Sequence, residues 1–163
     1  MVPDRWTRPG MSACGCESHR EQDVDLLILV TNSFNEVLLI RMMDEGGKIK
    51  DKWVCMQTDL PKGENIDRAI RDFVKNNTQM EVEKIESLEP FDAIMRENGK
   101  LIRHKVKMCF RAHSSGDITE LGPRFKTAGW FTKQEVEWYW DKIDEDTKKI
   151  LRASRYTYGP DGN

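Results

Sequence analysis

The sequence predicts an α/β domain, and three observations support this prediction. An almost continuous aliphatic run over residues 24–31 is typical of a strand covered on both faces. Residues 65–77 carry apolar side chains at the period of a helix with one buried face. Asn98-Gly99 stands between two strand patterns, which is a strong hairpin signal. The length of 163 residues suits one domain with a substantial core.

The N-terminal part of the chain predicts a tail, a hairpin and a third strand. Residues 1–23 are polar and show no hydrophobic period, so we expect a flexible tail. The strand over residues 24–31 is followed by a polar turn over 32–35 and a second strand over 36–42. A charged loop over residues 43–52 then leads to a short strand over 53–56.

The helix over residues 65–77 is the most strongly patterned segment. Asn65 is a suitable N-cap, and the loop before it contains Pro61 and Gly63, which disfavour regular structure. The apolar positions are Ile66, Ala69, Ile70, Phe73 and Val74. This spacing predicts one buried face.

The second half of the chain predicts a hairpin, a strand and two helices. A short apolar-polar segment spans residues 82–88, and hairpin strands over 91–96 and 101–112 flank the Asn-Gly turn. Residues 128–131 form a short strand, and Thr132 with Glu135 makes a capping box that opens a helix. A further helix is expected over 144–156, with a frayed C-terminus over 157–163.

The charge and the hydropathy of the chain limit the classes of function that it can have. The net charge of −2 gives no argument for a nucleic-acid or membrane partner from the whole chain. The longest apolar run covers residues 26–30, far below the ~20 residues of a membrane helix. The first ten residues lack an apolar stretch, so we expect no signal peptide and a cytoplasmic or other intracellular location. Both Met1 and Met11 remain candidate starts.

The four cysteines fall into two pairs. Cys55 and Cys109 lie in apolar strand patterns and are predicted to be buried free thiols. Cys14 and Cys16, with His19 nearby, form half of a zinc ligand set. A closed zinc site needs about four ligands, and no second pair follows at a matching spacing. We therefore prefer a tail without metal.

The stretch from Thr58 to Met80 resembles a Nudix box, whose pattern is G-x-x-x-x-x-E, seven residues, then R-E-U-x-E-E-x-G-U with U apolar. When Glu64 is the anchor, the second part falls on residues 72–80. Glu64 and the apolar Val74 and Met80 then match, whereas the first glycine is Thr58. The paired glutamates are replaced by Asn76 and Asn77. Sliding by one residue puts Arg71-Asp72 under R-E, but Lys75-Asn76 under the glutamate pair.

The resemblance implies a divergent, MutT-like member of the Nudix superfamily with a degenerate box. It implies a Nudix-like α/β/α sandwich with a mixed β-sheet over residues 24–156, closed by a strand and helix start near Gly129 and Val136. Nudix enzymes cleave a diphosphate linked to another group, and their box carboxylates hold Mg²⁺. Because asparagine offers only a neutral carbonyl, the exchange predicts weak Mg²⁺ binding and loss of ordinary turnover.

Two carboxylates are the candidate metal ligands, and no catalytic residue is assigned. Glu64 is the box acid that carries over, and Asp72 lies on the polar face of the helix. The alternative for Glu64 is a carboxylate favoured by the helix N-terminus. The alternative for Asp72 is pairing with a basic residue one helical turn away.

The strand over residues 101–112 has a basic face. Its members are candidates for binding the phosphates of a nucleotide or of RNA, namely Arg103, Lys105, Lys107 and Arg111. The alternative is a solvated face or a guarded sheet edge. His104 falls in the apolar register of the same strand, so we predict a buried, hydrogen-bonded histidine rather than a catalytic base.

Three consecutive aromatic residues follow the capping box: Trp138, Tyr139 and Trp140. They cannot all face one side of a helix. We expect two of them in the core and at least one exposed, which would suit a protein partner.

Three functional hypotheses follow. In the first, a Nudix-fold protein has lost ordinary Mg²⁺-dependent diphosphate hydrolysis and binds a nucleotide, a nucleic acid or a protein. In the second, a divergent hydrolase with Mg²⁺ as cofactor acts on a nucleoside diphosphate derivative through variant ligands. In the third, the chain is a structural or assembly subunit. Fold alone does not decide between them.

Overall fold

The computed structural model describes residues 23–160, which form a six-stranded mixed sheet with helices on both faces. The elements in chain order are β1 (Asp23–Thr31), β2 (Val37–Met42), β3 (Met56–Asp59), α1 (Ile66–Thr78), β4 (Glu81–Glu97), β5 (Lys100–Ser115), β6 (Phe125–Phe131), α2 (Lys133–Trp138) and α3 (Glu145–Ala153). A short 3₁₀ turn, Trp140–Lys142, joins α2 to α3. The prediction of a mixed sheet between helices is confirmed.

The sheet has the strand order β4-β5-β1-β2-β6, and β3 pairs with β1 off this path. β1 and β5 are parallel, from Asp23 opposite Lys105 to Thr31 opposite His113. The other strand pairs are antiparallel. β1 therefore lies at the centre of the sheet, which explains its almost unbroken aliphatic sequence.

Two hydrophobic cores lie on opposite faces of the sheet. Leu26 and Ile28 of β1 pack on the face covered by Ile70 of α1. Leu27 of β1 packs on the other face, which Ile150 of α3 covers. This arrangement follows from the alternation of side chains along a strand, and it produces the α/β/α sandwich.

The helix starts have the predicted caps. The Asn65 side chain accepts a hydrogen bond from the Arg68 N–H at 2.7 Å. Thr132 and Glu135 form the reciprocal capping box of α2. Asp144 caps α3 through a 2.9 Å hydrogen bond from the Thr147 N–H. Each cap satisfies an N–H group that the helix itself leaves unpaired.

The Asn-Gly hairpin joins β4 to β5 as predicted. Asn98 and Gly99 have φ values of 52° and 82°, the positive values that a tight two-residue turn requires. β4 is one 17-residue strand rather than two segments, because a register shift between Leu88 and Phe91 absorbs Pro90 without ending the pairing.

Two strand-level predictions were wrong. The third strand lies at Met56–Asp59 instead of residues 53–56, because Val54 only bridges Ile40 and Trp53 bridges Ile143. His104 is exposed and hydrogen-bonds Asp92 at 3.1 Å, although its register is apolar. The reason is that the β4–β5 hairpin extends beyond the described start of β1, where no other strand or helix among residues 23–160 lies over it.

The C-terminal segment is packed where a frayed end was predicted. Thr157 is buried and donates a 2.9 Å hydrogen bond from Oγ1 to Glu137. Gly159 is also buried, and its backbone lies against the Trp140 ring. The Tyr156 hydroxyl donates to the Phe131 carbonyl at 3.1 Å. These contacts fix the segment after α3 against α2 and β6.

The remaining sequence predictions concern the cysteines, the aromatic cluster, the N-terminal tail and membrane spans. Cys55 and Cys109 are free and buried, as predicted, and burial raises the pKa of Cys109 to about 11. Trp138 and Tyr139 are both exposed and Trp140 is half-buried, so the expectation of at least one exposed aromatic is confirmed and that of two in the core is wrong. Residues 1–22 of the predicted tail, with Cys14 and Cys16, lie outside the described part, and the last residue of that tail, Asp23, begins β1. Within residues 23–160, no helix has the length and apolar character needed to cross a membrane.

Candidate functional site

A cleft of ≈ 650 Å³ opens beside α1, where β3, two loops and the start of α3 approach the helix. Its wall combines apolar, cationic and acidic side chains. The lining residues are Met42, Lys50, Lys52, Val54, Cys55, Gln57, Thr58, Asp59, Phe73, Asn77, Pro123, Arg124, Phe125, Asp144 and Asp146. The rings of Phe73 and Phe125 meet edge to face at 6.1 Å. An apolar wall with a few polar groups is typical of a small-molecule site.

Three cations line the cleft: Lys50, Lys52 and Arg124. Lys52 donates a hydrogen bond from Nζ to the Asp141 carbonyl at 2.8 Å. Lys50 and Arg124 also border a smaller neighbouring pocket of ≈ 420 Å³, so they lie on one rim. Within residues 23–160, neither of these two side chains forms an ion pair. Their charge is available to an anionic ligand.

Three carboxylates also line the cleft: Asp59, Asp144 and Asp146. Burial raises the pKa of Asp144, against the opposing effect of its hydrogen bonds with Thr147. Asp146 lies 3.4 Å from the Lys107 ammonium. The acidic side of the cleft is therefore built partly from groups that already have protein partners.

A buried charge network lies behind this acidic side. Asp25 of β1 is 1% exposed and accepts hydrogen bonds from Lys107 Nζ at 2.7 Å and Lys105 Nζ at 3.1 Å. Gln57 adds a longer bond of 3.3 Å. Because Lys107 also reaches Asp146, one ammonium group links β1, β5 and α3.

The network keeps both of its central groups charged. Burial alone would raise the pKa of Asp25, but hydrogen bonds with Lys107, Asp59 and Lys105 outweigh it and hold that pKa below the usual value. Burial likewise works against the charge of Lys107, yet the neighbouring Asp25 and Asp146 carboxylates raise its pKa above the usual value. The paired charges thus compensate for their loss of solvent.

Comparison with known proteins adds the fold family. No protein-family model matches the chain, and no curated protein sequence matches it. Solved structures do match. A MutT NUDIX hydrolase from Burkholderia pseudomallei has a TM-score of 0.63 at 20% identity, covering 82% of this chain and 98% of that chain. A MutT protein from Bacillus halodurans gives 0.67 at 19%, covering 84% of each chain. The chain has the Nudix fold.

A third similar structure carries a ligand. The NUDIX domain of Shewanella oneidensis NrtR, complexed with ADP ribose, has a TM-score of 0.65 at 12% identity. The match covers 87% of this chain and 92% of that chain. At this level of identity the likeness extends to the fold alone.

In this Nudix fold, the two candidate metal ligands do not form a metal site. Glu64 is half-buried in the loop before α1, where its N–H donates to the Pro61 carbonyl at 3.2 Å. Asp72 is exposed and lies 4.0 Å from Arg68, one helical turn away. Neither residue lines the cleft. Within residues 23–160, no three His, Cys, Asp or Glu side chains are placed to hold a metal ion. The described residues therefore offer no cluster of three such side chains to the Mg²⁺ that the fold family implies.

Asn77 instead holds a loop against α1. Its side-chain amide donates to the Phe73 carbonyl at 2.8 Å, and its own carbonyl accepts from the Gly122 N–H at 3.0 Å. A Cβ atom built on Gly122 would stand 2.9 Å from Cγ of Asn77 and closer still to Oδ1. Only glycine fits this approach. The contact positions the loop that brings Arg124 to the cleft.

The four basic residues of β5 do not form one open face. Lys105 and Lys107 are bound to Asp25, and Lys107 is buried beneath α3. Arg111 donates from Nε to Glu86 at 2.7 Å. Arg103 is exposed on the hairpin beyond them. The basic residues alternate along β5 as expected. Ion pairs with Asp25 and Glu86, however, engage three of the four side chains.

Sequence reasoning missed most of the cleft. Lys50, Lys52 and Arg124 come from loops that have no period, and they are brought together by the fold. Asp25 carried a usable signal, because a carboxylate inside an aliphatic strand covered on both faces requires a buried partner. Lys107, in the strand over residues 101–112, was available as that partner.

Proposed function

We propose that this Nudix-fold chain binds a nucleoside diphosphate derivative in the cleft and has lost ordinary Mg²⁺-dependent diphosphate hydrolysis. The observation that carries the proposal is the composition of the cleft wall. Where α1 meets the cleft it presents Phe73 and Asn77, and one rim presents Lys50 and Arg124, cations without an ion-pair partner among residues 23–160. These cations can bind phosphates directly, and within residues 23–160 the three aspartates of the wall are not placed as a metal-binding cluster.

The backbone supports the box alignment on which the loss of activity depends. When Glu64 is the anchor, Gln79 falls at the box glycine, and Gln79 has a φ of 70° at the end of α1. Glycine is the residue that ordinarily takes this left-handed conformation after a helix. In that alignment Phe73, Asn76 and Asn77 occupy the positions of the box glutamates. All three lack a carboxylate, so the Mg²⁺ ligands would be absent.

The size and chemistry of the cleft support the ligand class. Its ≈ 650 Å³ lies within the range of about 300–1,000 Å³ that small-molecule sites occupy. Lys50 and Arg124 would bind the diphosphate, and guanidinium groups suit phosphate oxygens especially well. Phe73 and Phe125 would contact an apolar or aromatic part of the ligand. The ADP ribose held by the similar NrtR domain belongs to this class.

The second candidate is a divergent hydrolase with variant metal ligands. The observation in its favour is that Asp59, Asp144 and Asp146 line the same cleft. Against it, Asp144 caps α3 and Asp146 is paired with Lys107, so a metal would have to displace existing partners. RNA and protein partners stay predictions, and an RNA oligonucleotide belongs in the same binding test.

Calorimetric titration with ADP ribose tests the proposal. We expect the same Kd in EDTA and in Mg²⁺, and no AMP release in Mg²⁺ or Mn²⁺. Arg124→Ala is expected to raise Kd about tenfold, because it removes a charge-assisted hydrogen bond. Lys126→Ala is the matched control, since it removes an exposed cation of β6 that does not line the cleft.

Two results would contradict the proposal. Binding that disappears in EDTA, together with metal-dependent cleavage lost in Asp59→Asn, would establish the hydrolase. Equal weakening by Arg124→Ala and Lys126→Ala would show that the ligand responds to general surface charge and does not occupy the cleft.

A further inference from the structure

The β4–β5 hairpin ends in an exposed apolar arm, which we define as residues 91–105. Four of the nine large hydrophobic side chains that are exposed within residues 23–160 lie on it. They are Ile94, Met95, Leu101 and Ile102, each between 51% and 60% exposed. A concentration of exposed apolar side chains on one hairpin marks an interaction site more often than scattered residues do.

The arm also has an open backbone edge. β4 is the terminal strand of the sheet, so its outer side has no strand partner among the described residues. Over residues 91–97 its register with β5 skips only Ile102, which lies on β5. The β4 side is therefore regular there, and a regular open edge is a template for a further strand.

We propose that β4 pairs antiparallel with β4 of a second copy of this chain, about a two-fold axis at Ile94. Asp92, Ile94 and Arg96 alternate along β4 and so project from one face. A two-fold axis at Ile94 places Ile94 opposite its own copy and each Asp92 opposite the Arg96 of the other chain. Ala93 and Met95 then face each other on the opposite side of the joined sheet.

Charge complementarity selects this register. An axis at Ala93 or Met95 puts Ile94 opposite a charged residue. An axis between Ile94 and Met95 puts Asp92 opposite Glu97, two like charges. The axis at Ile94 alone forms the Asp92–Arg96 pair, and it forms that pair twice. Asp92 uses Oδ1 for its hydrogen bond with His104, which leaves Oδ2 to pair with the arginine.

Sedimentation equilibrium of the full chain tests this pairing. We expect a concentration-dependent mass approaching twice the 19.0 kDa of one chain. Asp92→Arg and Arg96→Asp are each expected to weaken the dimer at least about tenfold, because each creates two like-charge pairs across the axis. The double variant D92R/R96D restores both pairs and is expected to restore the dimer.

Two controls separate edge pairing from other modes of association. Lys126→Glu reverses an exposed charge on β6, at the opposite edge of the sheet, and is expected to leave the mass unchanged. Leu101→Asn makes the apolar surface on β5 polar without adding a charge beside its cross-strand neighbour Arg96, and the dimer is expected to persist. Thermal unfolding of every variant verifies that the domain is folded.

Three outcomes would overturn the proposal. The first is a wild-type chain that stays monomeric at high micromolar concentration. The second is a dimer that dissociates with Leu101→Asn but not with Asp92→Arg, which would mean that the arms associate through their apolar faces. The third is a double variant as weak as either single one. Hydrogen exchange gives an independent measurement, because amides of residues 91–97 should gain protection with concentration in the wild type and not in Asp92→Arg.

Discussion

Lys107→Met is expected to lower the free energy of unfolding by about 3–5 kcal/mol, the cost of breaking a buried ion pair from one side. The substitution leaves the Asp25 carboxylate buried, with its 2.7 Å hydrogen bond lost and its remaining ammonium partner, Lys105, partly exposed. It also leaves Asp146 without its cation. Urea unfolding measures the change as a shift in the transition midpoint.

Lys105→Met is the matched control for this prediction. It removes an ammonium from the same strand and the same acceptor, but the Lys105 side chain is 23% exposed against 7% for Lys107. Solvent partly screens its interaction, so we expect a loss of about 1 kcal/mol or less. The double variant D25L/K107M should be more stable than Lys107→Met, because it removes the unpaired buried charge. Equal losses for the two lysine variants would contradict the network.

The same network predicts a pH dependence with a defined sign. The pKa of Asp25 lies below its usual value of 3.8. The stability that its charge contributes is therefore fully present above pH 3.8 and is lost as the pH falls through the lowered pKa. The pKa of Lys107 lies above its usual value of 10.5. The stability that its charge contributes is therefore fully present below pH 10.5 and is lost as the pH rises through the raised pKa. The stability difference between wild type and Lys107→Met should be flat from about pH 5 to 9 and should shrink outside it. A constant difference at all pH values would contradict this.

Much of the fold could be predicted because several of its elements depend only on residues that are close together in the sequence. The apolar face of α1, its Asn65 cap and the Asn98-Gly99 turn are decided by residues close together in sequence, and each formed as expected. β3 was misplaced because its limits depend on pairing with Asp25 to Ile28 of β1, which a short segment does not encode.

The site was less predictable, because it depends on contacts between distant segments. Lys50 and Arg124 meet at one rim only after the sheet has formed. The sequence places Lys107 on the basic face of its strand. That face is covered there by α3, which lies more than thirty positions later in the chain. His104 shows the converse, since an apolar register buries a side chain only where another layer lies over it.

Gly122→Ala is expected to destabilise the domain by about 2 kcal/mol through overpacking against Asn77. The added methyl group would meet Cγ of Asn77 at 2.9 Å, and Asn77 cannot swing away without losing its hydrogen bond to the Phe73 carbonyl. Gly46→Ala is the matched control, since its Cβ would meet Asp44 at an ordinary 3.5 Å. We expect a change within about 0.5 kcal/mol there.

A double-mutant cycle with Asn77→Ala isolates this contact. Asn77→Ala alone should cost about 1 kcal/mol by removing its hydrogen bond to the Phe73 carbonyl. Shortening the side chain also makes room for the methyl group, so N77A/G122A should be more stable than the sum of the single effects predicts, by about 1 kcal/mol or more. ADP ribose binding should follow the same order, because this contact positions the loop that carries Arg124. Additive stability changes would mean that the Asn77 side chain and Gly122 act independently.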